Sequence, residues 1–126
     1  MALVGARMTL EQLRAQNAWQ CVRHGVDKDY VNVAKALPAL IMNSGLLQVM
    51  AFLQQKESVH RKVAASLRIW LWSRKTGRQQ TMEDPGFERF MDSLMAETPS
   101  GFQALTAEAL AWLKWLRQLA AAAQER

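Results

Sequence analysis

A chain of 126 residues, 50% of them hydrophobic and 21% charged, is long enough and apolar enough to bury one core, which sets aside disorder as its global state. Its single cysteine, Cys21, excludes an internal disulfide and a cysteine-based zinc knuckle and fits a reducing cytoplasm; no apolar run is long enough to span a membrane, and Met1 to Gly5 is too short and too uncharged for a signal peptide. The net charge of +5 is unevenly placed: residues 56–78 hold seven basic residues and one acid, whereas residues 79–108 hold six acids and one base. Such a division suggests a polyanion-binding face beside a face that meets something else.

Glycine (6) and proline (3) are sparse and good helix formers abound, so the composition leans all-α. The first helix starts at Thr9, whose spacing to Gln12 makes a capping box, and runs to about Val26. A second starts near Lys28 with an apolar stripe of Tyr30, Val33, Ala34, Leu37 and Ile41. Pro38 predicts a kink or a restart within it, since it lacks the donor and clashes with the carbonyl of Ala34. Gly45 is expected as its left-handed cap. The third helix, Leu46 to Lys56, is apolar nearly all round and so is expected to be buried. The fourth runs from Ser58 to Lys75, with Gly77 just past its end. Arg78 to Glu83 is polar, and residues 78–84 read as a flexible loop. Asp84-Pro85-Gly86 then starts a short fifth helix, Phe87 to Glu97. Thr98-Pro99-Ser100-Gly101 reads as a break before a last helix from about Phe102 into the 120s, with a stripe of Leu105, Ala109, Trp112, Leu116 and Leu119. Residues 1–8 and 120–126 are expected to fray. No repeat and no strand alternation is visible. The expectation is an all-α, single-domain bundle of about six helices over residues 1–126.

The pattern offers little chemistry. His24 and His60 lie on different helices without a partner set for a metal, and no phosphate-binding glycine loop or nucleophile elbow is present. Cys21 lies on the apolar face of the first helix and reads as a structural thiol. Asp27, Asp29 and Asp84 stand where acids serve as helix caps. No catalytic residue, metal site or cofactor is expected.

The positive signal is in the fourth helix. Arg61, Arg68 and Lys75 recur every seven residues and so share one face, with Trp72 among them and Lys62, Arg74 and Arg78 at the edge. Cations that track a phosphate backbone, with an aromatic plane for a base, make this the expected RNA-binding surface. The alternative is a plain solvated basic face. The helix-stop-helix around Gly45 also admits a small basic DNA-binding regulator, although the third helix, with Lys56 as its only cation, shows a groove no polar face.

Two segments carry a family likeness. YVNVAKALPALIMNSGLLQVMAFL holds Tyr30, Leu37, Pro38, Ile41, Gly45, Leu46, Ala51 and Phe52 in order, and EALAWLKWLRQLA holds Glu108, Ala109, Leu110, Leu113, Trp115, Leu116 and Arg117. Arg14, Ala15 and Ala18 fit more loosely. In this the chain resembles the small helical subunit, subunit five, of Cmr complexes, the type III-B CRISPR effectors guided by crRNA. The resemblance implies a non-catalytic, cytoplasmic subunit in antiviral defence. Its implied partners are the backbone subunits, neighbouring copies of itself, crRNA and target RNA, and no membrane. It further implies that Tyr30, Pro38, Gly45, Phe52 and Trp115 are structural, with Pro38, Gly45 and Phe52 shaping and burying the second and third helices.

Overall fold

A computed structural model describes residues 8–77 and 82–125. These form six helices: α1 (Leu10–Val22), α2 (Lys28–Ser44), α3 (Leu46–Gln55), α4 (Ser58–Thr76), α5 (Phe87–Met95) and α6 (Pro99–Ala122). The chain is an all-α bundle in which α6 packs on α1, α2 and α4, and the shorter α3 and α5 pack on α4 and on each other. Ala109, Trp112, Leu113 and Leu116 of α6 are fully buried and meet Ala18, Leu37, Leu67 and Leu71 in one continuous core. Burying each large apolar side chain stabilises the fold by about 1.5–3 kcal/mol.

The local signals at the helix starts hold. Thr9 and Gln12 exchange hydrogen bonds between side chain and backbone as a capping box, and Asp27 accepts from the Tyr30 amide at 2.9 Å to start α2. Pro38 does not restart α2, which is continuous from Lys28 to Ser44. Tyr30 and Ala34 before it and Leu37 and Ile41 around it are buried on the same side, and their combined burial outweighs the roughly 3 kcal/mol that one internal proline costs.

Elsewhere the boundaries shift. α1 stops at Val22 because the chain turns at Gly25 and Val26 pairs with the other end of the protein: its amide donates to the Ala123 carbonyl at 3.3 Å and its carbonyl accepts from the Glu125 amide at 2.9 Å. The expected fraying of residues 120–126 is therefore corrected up to Glu125, since Ala120 is fully buried and residues 123–125 are docked. Arg126 and residues 1–7 lie outside the described residues, as do 78–81 of the expected flexible loop. α5 ends at Met95, two residues early. The Thr98–Gly101 break is instead the start of α6: the Thr98 hydroxyl accepts from the Gly101 amide at 3.0 Å, and Pro99 occupies the first turn, where it has no bond to lose.

Gly45 joins α2 to α3 and serves as a cap for both, its amide donating to the Ile41 carbonyl at 2.8 Å. Its φ of 85° and ψ of 158° are not the left-handed helical values expected but an extended region that is essentially glycine's alone. Gly77, with φ 73° and ψ 10°, is the left-handed cap that closes α4. Gly45→Ala should therefore lower stability by about 1–3 kcal/mol although nothing would touch the new methyl, whereas Gly77→Asn should cost well under that. Urea unfolding of the two variants against the parent checks the contrast.

Candidate nucleic-acid interface

The seven-residue spacing does bring Arg61, Arg68 and Lys75 to one side of α4, but α5 and its flanking turns bring carboxylates to the same side. Arg68 is only 8% exposed and holds Asp84 with two bonds, Nε to Oδ1 at 2.8 Å and Nη2 to Oδ2 at 2.9 Å. Asp84 also accepts from the Gly86 amide at 2.8 Å, just before α5. The Arg68 hydrogen bonds hold the Asp84 carboxyl below its ordinary pKa against a smaller opposing effect of burial. Lys75 donates to Glu97, and that bond likewise depresses the Glu97 pKa. Trp72 is half-buried, with the Arg89 guanidinium 5.0 Å from its ring centroid. Along the expected RNA-binding stripe, Arg68 is thus buried and paired, Trp72 and Arg74 are half-buried, and Lys75 is exposed but paired to Glu97. Asp84, Glu97 and Glu108 of the acidic block meet Arg68, Lys75 and Arg74 of the basic block.

Arg74 belongs to a second arrangement, centred on Glu108. This carboxylate sits in the apolar stripe of α6 and is 8% exposed. Arg14 of α1 grips it with two bonds, Nε to Oε2 at 2.7 Å and Nη2 to Oε1 at 2.9 Å. The Trp70 indole donates to Oε2 at 3.0 Å, and Arg74 Nε lies 3.8 Å from Oε1. Burial pushes the Glu108 pKa up, but the hydrogen bonds from Arg14 and Trp70 and the charges of Arg14 and Arg74 together bring it below the ordinary value. The composition of α6 does not single Glu108 out; only its place between Leu105 and Trp112 on the buried stripe marks a carboxylate that must find donors.

Two members of the expected surface stay open. Arg61 is exposed and spends its Nε on the Gln54 carbonyl at 2.9 Å, which caps the end of α3. Lys62 is exposed and meets no carboxylate within ion-pair distance among the described residues. Arg78 lies outside the described residues.

Of the residues implied as structural, Tyr30 is 4% exposed, Pro38 and Trp115 are half-buried, and Gly45 makes the joint. Phe52 is corrected: it is 39% exposed. α3 has neighbours along one side only, so Leu46, Val49, Met50 and Leu53 are buried while Phe52 faces out. Lys56 Nζ lies 4.9 Å from the Phe52 ring centroid, and the His60 ring stands edge-on to it at 6.5 Å.

The thiol of Cys21 is half-buried and bonded to the Asn17 carbonyl at 3.5 Å, and burial pushes its pKa up, away from the thiolate that a nucleophile needs. His24 is exposed. No group of three or more His, Cys, Asp or Glu among the described residues is placed to hold a metal ion, and no described helix is long and apolar enough to cross a membrane.

Glu108→Ala should destabilise the protein by about 3–5 kcal/mol, because Arg14 and the Trp70 indole lose their buried acceptor. Glu108 and Asp84 have depressed folded-state pKa values, so their stabilisation is complete above the unfolded carboxylate values of about 4 and is lost as pH falls further. Urea midpoints measured across pH should hold steady from neutrality to about pH 5 and then fall, and Glu108→Ala should flatten that fall.

No curated protein matches the chain. Among solved structures, the crystal structure of a CRISPR-associated Cmr5 family protein from Thermus thermophilus has the same fold, with a TM-score of 0.72 and 24% identity over 94% of this chain and 100% of that one. The family model described as CRISPR-associated protein (Cas_Cmr5) matches residues 10–123, from the first residue of α1 to the segment that docks on Val26. The chain therefore belongs to the Cmr5 family of CRISPR-associated proteins.

Proposed function

We propose that this chain is a non-catalytic structural subunit of a crRNA-guided, type III-B Cmr complex, where it docks on the other subunits and lends positive charge to the channel for guide and target RNA. The observation that carries the reading is the family match across residues 10–123. The side chains agree with it. The histidines and the thiol sit apart, and the carboxylates with the most buried or closest partners (Glu108, Asp84, Glu97) are engaged with arginine or lysine. What the subunit offers is a rigid bundle, an open face on α3, and a surplus of positive charge. Arg61 and Lys62 of α4 are exposed and meet no carboxylate within ion-pair distance among the described residues, which supports a phosphate contact there.

A tagged copy purified from its own host should bring down crRNA together with the backbone subunits. Recovery of the tagged protein alone, free of RNA and of other subunits, contradicts the reading.

A further inference from the structure

We infer that α1 is a hinged arm: it turns about Gly25, is latched by a strap of residues 123–125, and opens as a unit while α2 to α6 stay folded. Among the described residues α1 shares an extended interface with α6 alone, whereas α2 packs on α3, α4 and α6, and α4 on α2, α3, α5 and α6. The apolar side chains that α1 buries fully are two of modest size, Ala18 and Val22. The largest fully buried side chains, from Leu37 to Leu116 along the chain, all lie on α2 to α6. Opening α1 therefore gives up little apolar burial, while loss of α4 or α6 dismantles the core.

What holds α1 shut is largely polar and directional. The Arg14–Glu108 pair and the 2.9 Å bond from the Trp112 indole to Asn17 Oδ1 lie in step along two parallel helices. Water can replace both once α1 leaves, and Glu108 keeps Trp70 and Arg74 of α4 as partners, so opening orphans no buried charge. The hinge and the latch meet at one point. Gly25 has a φ of 99°, a region that glycine enters freely and other residues do not. Its neighbour Val26 is the residue the strap grips, donating to the Ala123 carbonyl at 3.3 Å and accepting from the Glu125 amide at 2.9 Å. The Glu125 side chain lies across Gly25 so closely that a β-carbon there would stand 2.8 Å from Glu125 Cγ. The strap thus closes over the link about which the arm turns and holds that link in one conformation.

Native-state hydrogen exchange of the full chain, read by NMR at rising sub-denaturing urea, tests arm and latch separately. Amides from Leu13 to Val22 should share one exchange rate, at least about tenfold faster than that of Val63 to Leu71 in α4, with a urea dependence that is shallow but not zero. Glu125→Pro removes the strap's donor to Val26 and should speed the α1 amides a further three- to tenfold or about that, with α4 unchanged. A single rate and urea slope for α1 and α4 together overturns the arm. So do unequal, urea-independent rates along α1, which mean fraying residue by residue. Acceleration of α1 and α4 alike by Glu125→Pro, or of neither, overturns the latch.

Discussion

The bundle is arranged around one carboxylate that is almost withdrawn from water. Glu108 lies on the buried stripe of α6, between Leu105 and Trp112, and a charge there is tolerable only if donors surround it. They come from two helices distant in sequence, Arg14 of α1 and Trp70 with Arg74 of α4. The demand of one side chain thus fixes how three helices sit against one another. A second polar tie runs alongside, where the Trp112 indole donates to Asn17 Oδ1 at 2.9 Å. Hydrophobic burial supplies most of the stability but is indifferent to small rotations of a helix; these directional bonds are not.

The same logic continues outward along α4. Its C-terminal half is fastened by Arg68 to Asp84, ahead of α5, and by Lys75 to Glu97, ahead of α6. A bidentate arginine pair at the edge of a core contributes to holding a segment in place more than to surface charge. The C-terminal part of the basic block is therefore paired to carboxylates of the acidic block. Among the described residues of α4, the cations that meet no carboxylate, Arg61 and Lys62, lie at its other end. Residues that hold the fold together are poorly available to hold a ligand.

Much of the fold is legible in the sequence because the signals are local. The Thr9–Gln12 box, the Asp27 cap, the apolar stripes of α2 and α6 and the stop at Gly77 depend on residues within a turn or two of each other. What is not legible depends on distant partners. No helical wheel of α4 shows that Asp84 and Glu97 return beside it, so the stripe through Arg68 and Lys75 reads as a surface of unpaired cations open to RNA. No window around Val26 shows that Ala123 and Glu125 will pair with it and end α1 early. α3 reads as buried because it is apolar all round, but a ten-residue helix packed along one side leaves Phe52 outside. Thr98-Pro99 is ambiguous for a different reason: proline and glycine near a threonine mark a helix start as readily as a break, and only the Thr98–Gly101 hydrogen bond decides between them.

α4 divides into internal fasteners and free cations, and Arg68 is the residue on which the two roles differ most. Arg68→Met, followed by urea unfolding of the subunit and by the salt dependence of target-RNA affinity in the assembly, measures both at once. A fastener predicts a clearly lower urea midpoint with the slope of log affinity against log salt unchanged. An unchanged midpoint with that slope reduced by about 0.7, the share of one phosphate contact on a single strand, would contradict this division and return Arg68 to the RNA surface.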